Sequence, residues 1–290
     1  MSPSLPGITP FLTPGLPEGR SIDLPGRGST WIREASGPTG APTLLLLHGW
    51  TANSALNWFG TYDALRTNFN VVAMDHRGHG YGIRSRHRFQ LEDCADDAAA
   101  LLDELNIERA IAVGYSMGGP IAQLLWQRHP QLIDGLVLCA TAARFREPRG
   151  GRVLDGVVAG LSFASRVVPK SVNRRVSERV LVSKYDTTPL GNWAREQARL
   201  NDLRIMLEAG HHVASYDAMS WIGCVDVPTA VVLTTRDETV LPHRQRQMAN
   251  AISTAQIFEV NGRHDICATR PERFADVLVT ACADVVARCN

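Results

Sequence analysis

Residues 114–118 read Gly-Tyr-Ser-Met-Gly, a serine between two glycines in the spacing G-x-S-x-G, which lifts a serine onto a sharp turn from strand into helix. The chemistry open to such a serine is nucleophilic attack. A serine hydroxyl barely ionises near neutral pH, so Ser116 needs a base to take its proton. Histidine suits that task because its pKa lies near the working pH, and the chain has nine. The base in turn needs an acid to fix its tautomer, and the charge that develops on the attacked oxygen needs backbone donors aimed at it. The five residues alone also fit a glycine-rich surface turn with an incidental serine, so their flanks decide. Ile111, Ala112 and Val113 read as a short buried strand, and residues 121–129 carry apolar side chains at helical spacing. Gly114, Gly118 and Gly119 keep bulk away from the turn, and Pro120 suits a first helical turn, where amides have no internal acceptor.

The elements needed to position this chemistry alternate along the chain. Residues 22–24 and 31–34, separated by Pro25-Gly26-Arg27-Gly28, predict an opening hairpin. Apolar runs at 44–47, 71–74, 111–113, 136–139, 230–233 and 257–260 read as strands apolar on both faces, as in a mainly parallel sheet covered by helices. Helices are expected over 54–66, 91–105, 117–128, 243–252 and 271–287. The alternation stops after Cys139 and resumes near Val227. The interval reads as an inserted helical cap whose apolar stripe, Val153, Leu154, Val157, Val158 and Leu161, packs mostly on the main domain. Glycines at 150, 151, 156 and 160 predict an irregular first cap helix. The expected organisation is an arm over 1–20, a core over 21–143 and 211–290, and a cap over 144–210.

Composition narrows the function classes. At 290 residues and 44% hydrophobic, the chain can bury an enzyme-sized core. A net charge of +1, without a basic run or an interleaved aromatic patch, speaks against nucleic-acid binding. No apolar run approaches the ~20 residues that cross a bilayer, so no membrane span is expected. The first 18 residues lack a basic start and a signal-like apolar core. Cys94, Cys139, Cys224, Cys267, Cys282 and Cys289 are scattered without a C-x-x-C pair. Reduced thiols and a cytoplasmic location are the expectation.

Further motifs carry a family resemblance. His48-Gly49-Trp50 ends the strand at 44–47, Trp58 stands ten positions after that histidine, and Asp75-His76-Arg77-Gly78-His79-Gly80 forms a D-x-R-G-x-G turn. With the Ser116 elbow, these resemble the α/β-hydrolase family over nearly the whole chain. Family members usually continue the D-x-R-G-x-G turn with x-S, where this chain has Tyr81-Gly82. The departure bears on loop packing. The fold implied is a mainly parallel α/β-hydrolase sheet with helices on both faces and an inserted helical cap.

The resemblance also implies roles. His264, in Asn261-Gly262-Arg263-His264 between the strand at 257–260 and the helix at 271–287, matches the catalytic base. His48 belongs to the HG loop, His76 and His79 to the D-x-R-G-x-G turn, and His129 to a helix end. His87, His211, His212 and His243 read as solvated or cap-packing, although His211 and His212 could approach a substrate. Asp237, after the strand at 230–233, matches the acid and completes the order Ser, Asp, His of this fold. Glu238 is its competitor. The family's D-x-x-V-P pattern favours Asp237, with Pro242 one residue late, and Thr141, where some relatives carry the acid, cannot serve. The backbone amides of Trp50 and Met117 match the oxyanion hole, and their side chains are expected to line the pocket.

What the resemblance implies is a serine hydrolase without cofactor or metal, a carboxylesterase acting on a small or medium lipophilic ester. A serine nucleophile argues against haloalkane dehalogenases and epoxide hydrolases, which use aspartate there. Lactonases, thioesterases, C–C bond hydrolases, perhydrolases and acyltransferases share the triad and stay open. So do a non-catalytic ligand-binding protein on the same scaffold and partner docking through the cap stripe.

Overall fold

A computed structural model of the chain describes residues 16–146 and 188–289. The apolar stripe from Val153 to Leu161 and the glycines at 150, 151, 156 and 160 lie outside the described residues. The expected hairpin is formed by β1 (Gly19–Leu24) and β2 (Gly28–Ala35), which pair antiparallel. Six further strands follow: β3 (Thr43–Leu47), β4 (Asn70–Met74), β5 (Ala110–Tyr115), β6 (Ile133–Cys139), β7 (Thr229–Thr234) and β8 (Ala255–Val260). They form one sheet in the order β1-β2-β4-β3-β5-β6-β7-β8. β2 meets β4 antiparallel, and every pairing from β4 to β8 is parallel.

Both faces of the sheet are covered, which is why its central strands are apolar throughout. In β3, Leu45 and Leu47 join the core on one side, with Ala98 and Leu102 of α3 (Leu91–Glu104) and Ile121 and Leu125 of α4 (Gly118–Arg128). Leu44 and Leu46 join the core on the other, with Ile266 of the short α8 (Ile266–Thr269) and Phe274 and Leu278 of α9 (Pro271–Cys289). This is the two-residue alternation of a strand. All four leucines are fully buried, and such burial contributes roughly 1.5–3 kcal/mol for each. β8 departs from the expectation of two apolar faces. It is the sheet's edge, and Ile257 is 37% exposed.

The helix expected over 54–66 is two short helices, α1 (Ser54–Trp58) and α2 (Tyr62–Leu65). Gly60 lies at the break between them, where glycine weakens a helix and any larger side chain would collide with Pro271 at the start of α9. Among the described residues no helix is long and apolar enough to cross a membrane, and all six cysteines are unpaired thiols.

The D-x-R-G-x-G turn ties the top of the sheet to α3 and α1. Asp75 accepts from the amides of Ser54 and Tyr81, both at 2.8 Å. Arg77 donates through Nε and Nη2 to the two oxygens of Asp97 in α3, both at 2.7 Å. Such forked pairing is the strong form of an ion pair. Tyr81, in the departure from the family pattern, packs on Trp31 with ring centroids 5.2 Å apart.

Three imidazoles meet at this turn. His48 lies 4.3 Å from His76 and 5.2 Å from His79, ring centre to ring centre, and all three are fully buried. Burial outweighs the Gly49 hydrogen bond and lowers His48 to about 4; burial and the neighbouring rings lower His76 and His79 well below the usual value. Well above pH 6.5 folded and unfolded chains both hold them neutral. As pH falls from there to about 4, the unfolded chain takes up protons that the folded chain refuses, so stability falls. The shift at His48 alone amounts to roughly 3 kcal/mol lost across that window. Urea midpoints measured at pH 7 and pH 4.5 should differ accordingly, and equal midpoints would contradict the neutral cluster.

Candidate active site

Ser116 occupies the step from β5 into α4 with φ +53°, the left-handed region that non-glycine residues seldom adopt. Such a conformation costs on the order of 1–3 kcal/mol and persists only where neighbours hold it. Here the Ser116 amide donates to the Cys139 carbonyl at 2.9 Å, and the Thr141 hydroxyl donates to the Ser116 carbonyl at 2.7 Å. Gly118 packs against the Leu47 carbonyl so closely that a methyl group would collide with it. The turn therefore needs glycine at that position.

The other two residues expected at the site come from the ends of β7 and β8. Ser116 Oγ donates to His264 Nε2 at 2.9 Å, and His264 Nδ1 donates to Asp237 Oδ2 at 2.8 Å. Glu238 does not reach this centre. It is exposed and pairs with Arg263 at 3.0 Å.

Asp237 is 2% exposed and well supplied with donors. Its Oδ1 accepts from the amides of Thr239 and Val240 at 2.8 and 2.9 Å, and its Oδ2 accepts from the Thr234 hydroxyl at 2.7 Å. Burial pushes its pKa up, but the His264 hydrogen bond and charge, the Val240 amide and Thr234 together outweigh it, so the carboxyl lies below its usual range. Gln245, fully buried in α7 (Pro242–Ala251), donates to the Thr234 hydroxyl and the Val240 carbonyl at 2.9 and 2.7 Å. Pro242 starts that helix, so the late proline of the D-x-x-V-P pattern serves as an N-terminal helix residue.

Sequence reasoning did not single out Tyr115, Thr234 or Gln245. The Tyr115 hydroxyl donates to the carbonyl of His264 and so pins the loop that carries it. Gln245 stands eight positions beyond Asp237, a separation that no local pattern connects. Thr234, by contrast, ends β7 three residues before the acid and could be suspected from that position.

The HG loop closes over the serine from β3. Gly49 lies against the Ser116 Cβ, its amide donates to Asn57 Oδ1 at 2.9 Å, and its carbonyl accepts from His48 Nδ1 at 2.8 Å. His48 Nε2 in turn accepts from the His76 amide at 2.9 Å. Both nitrogens of His48 are thus engaged, which fixes the neutral tautomer and gives this residue a structural task. Trp50 follows Gly49 in this loop, while Met117 caps the start of α4, where the helix dipole favours negative charge. Among the described residues, neither amide donates to a protein acceptor.

A cavity of about 590 Å³ opens onto Ser116 and His264, within the ~300–1,000 Å³ typical of small-molecule sites. Trp50 lines it as expected, with Phe59 and with Trp193 of α5 (Pro189–Arg199), whose ring meets that of Phe59 at 5.5 Å. The expectation for Met117 needs correcting. Its side chain is fully buried in the core on the α3 and α4 face and does not form the cavity wall. His211 and His212, on α6 (Leu203–Ser215), also stay off the cavity; His212 packs on Phe89 at 6.2 Å. Among the described residues, no group of three or more metal-ligating side chains forms a metal site.

The family description "alpha/beta hydrolase fold" matches residues 42–271, a span that holds the elbow, Asp237 and His264. The chain belongs to the alpha/beta hydrolase fold family. Among its relatives, an uncharacterized protein of Mycobacterium tuberculosis is 28% identical over 265 residues, covering 82% of this chain and 74% of its own length. The enol-lactonase of Burkholderia xenovorans superposes with a TM-score of 0.75 at 23% identity, covering 91% of this chain and 100% of that one. A thermophilic esterase of Thermogutta terrifontis superposes with a TM-score of 0.75 at 20% identity, covering 92% and 99%. At these identities the alpha/beta hydrolase likeness is one of fold.

Proposed function

We propose that this alpha/beta hydrolase is a serine carboxylesterase cleaving small or medium lipophilic esters through an acyl-enzyme. The observation that carries the reading is the continuous hydrogen-bond relay from Ser116 Oγ through both nitrogens of His264 to Asp237. Ser116 Oγ attacks the ester carbonyl carbon while His264 Nε2 takes its proton. The oxyanion accepts hydrogen bonds from the Trp50 and Met117 amides, and His264 passes the proton to the departing alkoxide. Water then enters, gives its proton to His264 and attacks the acyl-enzyme. The carboxylic acid leaves and Ser116 is restored.

The cavity supports the lipophilic half of the reading. Trp50, Phe59 and Trp193 offer apolar contact, and the described residues that line it include Asp265 but no lysine or arginine. Neutral esters are therefore favoured over carboxylate-bearing ones. We also propose the two-part organisation, core over 21–143 and 211–290 and cap over 144–210. Trp193 gives that cap a part in substrate contact, and α6 runs unbroken through its boundary at Gly210.

A panel of chromogenic esters graded by acyl length, with lactones, thioesters and carboxylate-bearing esters alongside, tests the proposal. A pre-steady-state burst and sustained turnover are expected on short and medium neutral esters, with slower hydrolysis of the anionic ones. Absence of both burst and turnover across the esters would sink the carboxylesterase reading, and turnover confined to lactones or thioesters would move the protein to another branch of the same chemistry.

A further inference from the structure

The turn that presents the Trp50 amide is held in place from outside the sheet. It is closed by the Ala52 amide donating to the Gly49 carbonyl at 3.3 Å, and its residue Thr51 sits at φ +62°. A β-branched residue avoids that conformation, which lasts only where the surroundings impose it. Core residues hold the start of the turn, since His48 and Asn57 both bind Gly49. The far side is held by the segment that joins α5 to α6. Asn201, 7% exposed, donates from Nδ2 to the Thr51 carbonyl at 3.0 Å and accepts at Oδ1 from the Gly80 amide at 2.9 Å. One turn further along, the Met206 carbonyl accepts from the Trp50 indole at 2.8 Å. A third contact, Asn53 Nδ2 to Gln197 Oε1 at 2.9 Å, docks α5 itself without touching Thr51.

We infer that Asn201 is a positioning residue for the oxyanion hole: by bridging the D-x-R-G-x-G turn to the Thr51 carbonyl, it sets where the Trp50 N–H points relative to Ser116. The inference rests on the serine hydrolase reading above and extends it. The helix pair at the described end of the cap then does more than border the substrate. It helps restrain a donor that the tetrahedral oxyanion engages more strongly than the planar carbonyl does. A misplacement there costs transition-state binding and leaves ground-state binding alone.

The test compares Asn201→Ala, Asn201→Asp and Gln197→Ala with the wild type, each normalised to active sites by fluorophosphonate titration. Asn201→Asp keeps the acceptor for Gly80 and loses the donor to Thr51, so it reports the clamp if Asn201→Ala fails to fold. In both Asn201 variants kcat should fall about 10- to 100-fold with KM within about twofold, because positioning errors and lost oxyanion donors act on the transition state. Affinity for a trifluoromethyl ketone, which adds to Ser116 as a tetrahedral oxyanion, should fall by a similar factor, while affinity for the matching secondary alcohol holds. Gln197→Ala, which loosens the same helices elsewhere, should keep kcat within about twofold of wild type. Unchanged kcat in both Asn201 variants, equal weakening of ketone and alcohol, or an equal loss in Gln197→Ala would overturn the inference. If the wild type itself neither turns over nor takes the label, the hydrolase reading fails first, and the clamp falls with it.

Discussion

Ser116→Ala and His264→Ala are each expected to lower kcat about 10⁶-fold, and the double variant no further, by analogy with serine-protease triads whose members act as a unit. The geometry accounts for the shared loss. Ser116 Oγ and His264 Nε2 lie 2.9 Å apart, so one proton transfer between them accompanies attack on the carbonyl. Without the imidazole the hydroxyl keeps its proton, and without the hydroxyl the imidazole has nothing to activate except water. Steady-state kinetics on the best ester of the panel decides the matter. Losses that multiply in the double variant would mean that the two side chains work independently, and the assignment would fail.

Asp237→Asn is expected to cost roughly 10⁴-fold in kcat, and the hydrogen bonds around Asp237 explain why an amide cannot stand in. The Thr239 and Val240 amides both donate to Oδ1, so an asparagine must keep its oxygen there and turn its NH₂ toward His264. That group can only donate. It forces Nδ1 to accept, moves the ring proton to Nε2, and leaves no lone pair to take the proton of Ser116. Glu238→Gln should stay within a few-fold of wild type, since Glu238 is exposed and, among the described residues, pairs with Arg263 on the surface. A mild Asp237→Asn together with a severe Glu238→Gln would move the acid by one residue.

Much of this arrangement was legible in the sequence because its signals are local. The strand at 44–47, apolar on both faces, forecast a sheet covered on both sides, and the glycines of 114–118 forecast a turn too tight for side chains. His264 and Asp237 could be ranked because each follows a strand and precedes a helix, the positions that the α/β-hydrolase resemblance implies for the base and the acid. What was not legible depends on distant packing. The demand for glycine at position 60, inside the helix expected over 54–66, comes from Pro271 lying against it. The Met117 side chain turns into the core, and Gln245 and Asn201 find their partners across 11 and 150 positions of chain. Polar side chains of that kind carry no periodic signal, since a single contact, rather than a face, decides their role.

The relay from Ser116 to Asp237 is tested most directly by intact-protein mass measurement after incubation with a fluorophosphonate, followed by peptide mapping. The wild type is expected to gain one phosphonyl group, on the peptide holding Ser116, while Ser116→Ala gains none and His264→Ala reacts far more slowly. A folded wild type that stays unlabelled, or that carries its label on a residue other than Ser116, would contradict the account.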